Sequence, residues 1–149
     1  EDLRDLYNDL ILDHEKRPRN FHVLQNATQS AQGDNPMCGD KVTIYLHLEN
    51  DVIKDASFTG KSCAICTASA SLLTENIKGK TRSQAEAMFG RVRELMMTGK
   101  VNGDLGKLIA FSTVHEHLVK IKCAILPWHA LNAALKGESK PVSTENGQT

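Results

Sequence analysis

The chain has 149 residues, 40% of them hydrophobic and 24% charged, which is an ordinary composition for a single soluble globular domain. Lysine and arginine total 18, as do aspartate and glutamate, so the formal net charge is zero and nothing indicates a nucleic-acid partner. No apolar run approaches the roughly 20 residues of a transmembrane helix, so no membrane partner is expected.

The chain begins with a predicted amphipathic helix, which does not have the pattern of a signal peptide. Asp2 can cap this helix and Pro18 ends it. Its apolar face carries Leu3, Leu6, Tyr7, Leu10 and Ile11. From Asn20 to Met37 the sequence is polar and predicts irregular structure.

A β-hairpin is predicted next. The first strand alternates apolar and polar residues from Val42 to Glu49, and Asn50-Asp51 forms a two-residue turn. The returning strand runs from Val52 to Phe58, and Gly60 closes the hairpin.

Helical patterns fill the rest of the chain. One helix runs from Cys63 to a C-cap at Gly79, and a second opens with the capping-box pair Thr81 and Gln84 and ends near Gly99. The second helix turns an apolar stripe inward, formed by Met88, Phe89, Val92, Leu95 and Met96. A shorter helix, Asp104–Phe111, precedes the last one, Cys123–Lys136, in whose first turn Pro127 is tolerated.

This order of elements predicts an α+β fold, a small antiparallel β-sheet covered by helices on one face. Residues 1–136 form the single domain. Residues 137–149 are polar and predict a flexible C-terminal tail.

The four cysteines are too few and too widely spread for a disulfide-scaffolded secreted domain. We therefore expect a cytoplasmic protein in which they are metal ligands or reactive thiols. Cys38 lies in a tight loop before the first strand, where Gly39 lets the backbone turn so that the Cys38 thiol and the Asp40 carboxylate face one point. The alternative is a simple turn in which Asp40 bonds its own backbone.

Cys63 and Cys123 are each placed at a predicted helix N-terminus, where unpaired N–H groups favour the thiolate. Three thiolates and a carboxylate at such junctions suit tetrahedral Zn²⁺. The alternative is that these cysteines are unrelated small apolar residues.

Other candidate residues are less specific. Cys66 shares a helix face with Cys63, so it either packs against the sheet or handles metal or sulfur. His115 and His117 are within reach of a metal, although exposed surface histidines are commoner. Trp128 is either a core residue or an aromatic that faces a partner.

Several motifs, in order, resemble one family over nearly the whole chain to about Lys136. They are Asp13-His14, Pro18-Arg19-Asn20-Phe21, Asn35-Pro36-Met37-Cys38-Gly39-Asp40, Phe58-Thr59-Gly60, Cys63-Ala64-Ile65, Thr67 to Ser71, Ile121-Lys122-Cys123 and Leu126 to Leu131. Together they are similar to the U-type iron–sulfur cluster assembly proteins, which comprise IscU, SufU and the N-terminal part of NifU. The resemblance implies a SufE/NifU-like (IscU-like) fold that holds zinc or an iron–sulfur cluster through Cys38, Asp40, Cys63 and Cys123.

Two features resemble the SufU branch more than IscU. Lys122 stands where IscU proteins carry histidine, and the stretch from Arg91 to Leu118 is longer than its IscU counterpart. Cys66 stands where a small residue such as serine is expected, and Lys120 where SufU proteins carry arginine.

The SufU resemblance implies a zinc-dependent accessory sulfurtransferase that serves a SufS-type cysteine desulfurase. A histidine of the desulfurase would replace Cys38 on zinc, and the freed Cys38 would take the persulfide sulfur and pass it to downstream iron–sulfur assembly or sulfur-acceptor proteins. The alternative is a scaffold for a [2Fe–2S] cluster on the same four residues. A third interpretation is a structural zinc domain that acts as a binding module.

Overall fold

The computed structural model describes residues 2–138 and 141–144. Their elements, in chain order, are α1 (Leu3–Lys16), β1 (Gln29–Asn35), β2 (Asp40–Glu49), β3 (Val52–Lys61), α2 (Ala64–Ile77), α3 (Arg82–Thr98), a 3₁₀ helix (Gly106–Glu116), α4 (Leu118–Lys136) and β4 (Val142–Ser143). Within these residues, every helix is too short or too polar to cross a membrane.

The strands form one sheet in the order β3-β2-β1-β4. Strand β2 pairs antiparallel with both β1 and β3, whereas β4 runs parallel to β1. The predicted hairpin is confirmed, since Asn50 and Asp51 at its turn have φ of 50° and 65°, as a tight two-residue turn requires. The α+β prediction is also confirmed.

Strand β1 was not predicted, and the expectation of irregular structure up to Met37 is wrong for residues 29–35. Its inward-facing residues are Ala31, Gly33 and Asn35, which are too small or too polar to give an apolar alternation. The strand is held instead by its seven-residue pairing with β2. This pairing places the end of β1 and the start of β2 on either side of the Cys38 loop.

The polar tail also differs from expectation within its described part. Val142 and Ser143 pair with Gly33 and Asp34 of β1, and Thr144 is fully buried. A parallel strand here extends the sheet past β1 and covers an otherwise open edge. The remaining residues of the tail, 139–140 and 145–149, lie outside the described residues.

The core lies between the sheet and the helices, which pack on one face. The inward residues of β2, Val42, Ile44 and Leu46, are at most 1% exposed. The predicted α3 stripe is confirmed as core, with Phe89 at its margin. Trp128 is also core, since it is fully buried and its indole N–H donates to Ser69 Oγ at 3.1 Å.

The caps of α2 and α3 are largely as predicted. Cys63 is the N-cap of α2, and Thr81 with Gln84 forms the capping box of α3, which ends on the left-handed Gly99. The short helix predicted at Asp104–Phe111 is instead the 3₁₀ helix Gly106–Glu116.

Helix α4 begins at Leu118, five residues before the predicted start, so the boundary at Cys123 is wrong. Pro127 consequently lies in the helix interior and not in the first turn. Its missing N–H removes the helix hydrogen bond that the carbonyl of Cys123 would otherwise accept. Burial of nearly the whole helix from Ile121 to Leu135 offsets that loss.

A buried histidine is expected to make the fold acid-sensitive. His14 is 2% exposed, and its Nδ1 lies 2.7 Å from Ser71 Oγ, which also accepts the Arg19 backbone N–H at 2.8 Å. Because Ser71 Oγ accepts from Arg19, its own O–H is left to donate to Nδ1 of a neutral His14. Burial, the largest cause, lowers the pKa of His14 below its ordinary value.

The pKa of His14 is lower in the folded protein than in the unfolded chain, where it is about 6.5. The stabilising effect of neutral His14 is therefore fully present above about pH 6.5. Below that pH the unfolded chain binds a proton that the folded protein does not, so the free energy of unfolding falls. The free energy of unfolding should decrease by up to about 1.4 kcal/mol per pH unit on this account. Thermal melts between about pH 7.5 and pH 5.5 should show a steeper loss for the wild type than for His14→Asn, whose amide can still accept from Ser71. Equal slopes for the two proteins would contradict this assignment.

Candidate metal centre

The Cys38 loop is a four-residue connection between β1 and β2. The Cys38 N–H donates to the Asn35 carbonyl at 3.2 Å, and the Gly39 N–H donates to that of Pro36 at 3.3 Å. Gly39 has φ of +74°, so the turn uses the conformational freedom that the sequence predicted. The loop leaves Cys38 exposed to solvent.

Asp40 is the first residue of β2 and is fully buried. Its Oδ1 accepts the Cys63 backbone N–H at 2.7 Å, and its Oδ2 lies 3.7 Å from Cys63 Sγ. The described hydrogen bonds of the carboxylate therefore reach a different element, so the alternative of a self-bonded turn is wrong. Asp40 links the sheet to the start of α2.

Cys63 caps the N-terminus of α2, as predicted. Its thiol accepts the Cys66 backbone N–H at 3.4 Å. The hydrogen bond from Cys123, the largest cause, together with backbone N–H groups lowers the pKa of Cys63 to about 7. The thiolate is therefore favoured at this helix end.

Cys123 is the sixth residue of α4, so the prediction that a helix N-terminus supports its thiolate is wrong. It is 3% exposed, and its Sγ lies 3.8 Å from Cys38 Sγ. Its hydrogen bond with Cys63, followed by burial, raises the pKa of Cys123.

The ligand atoms of Cys38, Asp40 and Cys123 all lie within 4.8 Å of one another. Cys63 is outside this group of three but contacts two of its members, Asp40 and Cys123. Three sulfur donors and one carboxylate are a donor set that fits tetrahedral zinc or an iron–sulfur cluster. The structure thus brings the four predicted ligand residues to one end of the sheet.

The other candidates lie outside this group. Cys66 is fully buried, and burial is the largest cause that raises its pKa, which fits the packing alternative. His115 and His117 are exposed and line a separate cleft of about 610 Å³ between the starts of α1 and α4. Among the described residues, neither belongs to the group that could hold a metal.

Two buried residues with unpaired polar atoms were missed as functional candidates. Both amide atoms of the buried Asn35 lack a hydrogen-bond partner among the described residues, and Asn35 pairs directly with Asp40 in the sheet. Tyr7 has a buried hydroxyl that likewise lacks a described partner. No sequence signal separated Tyr7 from the other apolar residues of α1, whereas Asn35 stands within the motif that contains Cys38.

The family model of the NifU-like N terminal domain matches residues 6–140. The chain belongs to this family. This agrees with the family resemblance that the sequence motifs indicated.

Two relatives of this NifU-like domain cover most of it. The zinc-dependent sulfurtransferase SufU of Bacillus subtilis is 40% identical over 136 residues, which cover 89% of this chain and 91% of the relative. The iron–sulfur cluster assembly scaffold protein IscU of Thermotoga maritima is 38% identical over 140 residues, 91% of this chain and 96% of the relative.

Solved structures agree with this family. A crystal structure of FiSufU from Fervidobacterium islandicum, described as a cluster assembly scaffold protein for the SUF system, has a TM-score of 0.82 at 34% identity. The match covers 88% of this chain and 97% of that one. A NifU-like N-terminal protein from Brucella abortus has a TM-score of 0.79 at 22% identity over 89% of this chain and 94% of that chain, a likeness of fold.

Proposed function

We propose that this protein is an iron–sulfur cluster assembly protein that accepts sulfur on Cys38 from a SufS-type cysteine desulfurase. The observation that carries the proposal is the difference in exposure within the site. Cys38 is exposed, whereas Asp40 and Cys123 are buried at its back. An incoming enzyme can therefore reach one thiol of the group without unfolding it.

Zinc would be held by Cys38, Asp40, Cys63 and Cys123, which is the donor set that this metal prefers. When bound, it supplies a positive charge that keeps the thiols deprotonated at neutral pH. Similarity to the zinc-dependent SufU of Bacillus subtilis supports zinc as the resident metal.

The sulfur transfer is a thiol–disulfide exchange. The Cys38 thiolate attacks the outer sulfur of the desulfurase persulfide, a new S–S bond forms on Cys38, and the old S–S bond breaks. The desulfurase cysteine leaves as a thiolate, so no oxidant or reductant is consumed. Asp40 stays in the site, where its buried Oδ1 accepts the backbone N–H of Cys63 and so orients that cysteine.

The protein then acts as an accessory sulfurtransferase in the cytoplasm. Residues 1–136, with the added edge strand Val142–Ser143, form its assembly domain, and it hands sulfur to a downstream iron–sulfur assembly or sulfur-acceptor protein. Cytoplasmic placement rests on four free cysteines, which suit a reducing compartment.

A second candidate is a scaffold that builds a [2Fe–2S] cluster on Cys38, Asp40, Cys63 and Cys123. The similarity to the IscU scaffold of Thermotoga maritima favours it, and thiolate ligands suit iron as well as zinc. Both candidates use the same residues, so the desulfurase assay must separate them.

The test measures turnover of a SufS-type desulfurase alone and with the zinc-loaded protein. We expect strong stimulation by the wild type, and a return to the turnover of the desulfurase alone with Cys38→Ser. Cys66→Ala is the matched control, because it removes a buried thiol that faces the core, and it should stimulate like the wild type. Absence of stimulation by the wild type would contradict sulfur acceptance and make iron reconstitution the next test of the scaffold.

A further inference from the structure

Three buried polar residues lie side by side at the end of the sheet that carries the metal centre. Asn35 of β1 pairs directly with Asp40 of β2. On the other side of β1, strand β4 is paired up to the preceding position, so its next residue, Thr144, lies beside Asn35. Asp40 and Thr144 are fully buried, and Asn35 is 1% exposed.

All three side chains point to the inward face of the sheet. Asn35 and Asp40 are at buried positions in the alternating patterns of β1 and β2. Val142 packs against the core, so alternation along the tail strand turns Thr144, two residues later, to the same face. Neighbouring strands are about 4.8 Å apart, and the three residues therefore form a continuous polar row across β4, β1 and β2.

Most polar atoms of this row are unpaired. Within residues 2–138 and 141–144, neither the amide nitrogen nor the amide oxygen of Asn35 has a hydrogen-bond partner, and the hydroxyl of Thr144 has none. Buried polar atoms are nearly always paired, because an unpaired one costs free energy. Asn35 and Thr144 therefore indicate hydrogen bonds that form in another state of the protein.

Asp40 has room to accept one of these bonds. Its Oδ1 accepts the Cys63 backbone N–H at 2.7 Å, whereas its Oδ2 has a longer contact, 3.7 Å, with Cys63 Sγ. Each carboxylate oxygen can accept two hydrogen bonds. The Cβ atoms of directly paired residues are about 5 Å apart, so the amide of Asn35 is within reach of Oδ2 by rotation of its side chain.

We propose that Asn35 is a positioning residue that links the tail strand β4 to the metal centre. In the metal-loaded protein, its amide nitrogen donates to Asp40 Oδ2, and its amide oxygen accepts the O–H of Thr144. This arrangement pairs all three unpaired atoms at once, because an amide has a donor end and an acceptor end. The inference rests on the proposed function, since it takes Asp40 to be a metal ligand.

The tail strand then supports the metal centre without supplying a ligand. Ligand carboxylates are held in place by outer-shell hydrogen bonds, and the loss of such a partner typically lowers metal affinity by about 10- to 100-fold. Asn35 is the direct partner of Asp40, and Thr144 acts through Asn35 by fixing which end of the amide faces the carboxylate.

The first test replaces Asn35 by leucine, which has nearly the same shape, in the full chain. Zinc affinity is measured by competition with a chromophoric chelator, and we expect Asn35→Leu to bind zinc at least about tenfold more weakly than the wild type. The metal-free melting temperature should stay the same or rise, because a buried unpaired amide is replaced by an apolar group. A residue that served only the stability of the fold would lower that temperature.

The second test addresses the link to β4. Thr144→Val keeps the shape and removes the hydroxyl, so it should weaken zinc binding, whereas Thr144→Ser should bind like the wild type. The double variant of Asn35→Leu and Thr144→Val should bind no more weakly than Asn35→Leu alone, because Thr144 acts through Asn35. Thr43→Val, the same change on the outward face of β2, is the matched control and should have wild-type affinity.

Equal zinc affinities for Asn35→Leu and the wild type would overturn this inference alone. A lower metal-free melting temperature of Asn35→Leu would also overturn it, because the residue would then serve packing. Wild-type affinity in Thr144→Val would overturn the link to β4. Absence of zinc binding by the wild type would overturn the proposed metal site and this inference with it.

Discussion

Cys123→Ser should abolish metal binding while leaving the protein folded. Cys123 is buried at the back of the site, 3.8 Å from the sulfur of Cys38, so its replacement removes one of the three sulfur donors of the site. A serine hydroxyl fits the space but is not deprotonated at neutral pH. Loss of an outer-shell partner alone costs about 10- to 100-fold in metal affinity, so we expect more than about 100-fold for this ligand.

Metal content and thermal melting of the purified variant check this prediction together. Zinc should be nearly absent from Cys123→Ser and near one per chain in Cys66→Ala, which also removes a buried sulfur. A cooperative melt should persist, because the core between the sheet and α2, α3 and α4 extends far beyond the site. Wild-type zinc affinity in Cys123→Ser would contradict the ligand assignment, and an unfolded variant would favour the structural zinc domain.

Gly60→Ala should destabilise the fold by more than about 3 kcal/mol. Gly60 lies within β3, with φ of +148°, so it does not close the hairpin as predicted. A Cβ there would lie 2.1 Å from the carbonyl oxygen of Lys41 and 2.9 Å from Cα of Val42. These are backbone atoms of β2, so relief requires the two strands to separate next to Asp40.

Chemical denaturation of Gly60→Ala beside Gly90→Ala tests this account. Gly90 is an exposed position within α3, and a Cβ there meets nothing within 4 Å. Because alanine favours helix by about 1 kcal/mol over glycine, that variant should be as stable as the wild type or more so. Similar stabilities for Gly60→Ala and Gly90→Ala would show that the strands tolerate a side chain at this point.

Elements with strong local signals were predicted well. The capping box at Thr81 and Gln84, the cap at Gly99 and the turn at Asn50-Asp51 are local hydrogen-bond and backbone features, and each is present. Strand β1 gave no such signal, because it is held by long-range pairing with β2. The start of α4 was placed too late, because tertiary burial carries that helix through Pro127 against its local cost.

In the candidate metal centre, too, the features set by neighbouring residues were predicted and those set by long-range contacts were not. The loop position of Cys38 and the cap position of Cys63 follow from neighbouring residues and were predicted. The contact of Asp40 with the Cys63 N–H joins residues 23 positions apart, and it depends on how β2 meets α2.

The central claim is that Cys38 receives the sulfur. The most direct measurement is a single turnover of the desulfurase with the zinc-loaded protein, followed by alkylation, proteolysis and mass spectrometry of the four cysteine positions. We predict one added sulfur atom on the peptide that carries Cys38 and none on those that carry Cys63, Cys66 or Cys123. Sulfur on another cysteine, or on none of them, would contradict the account.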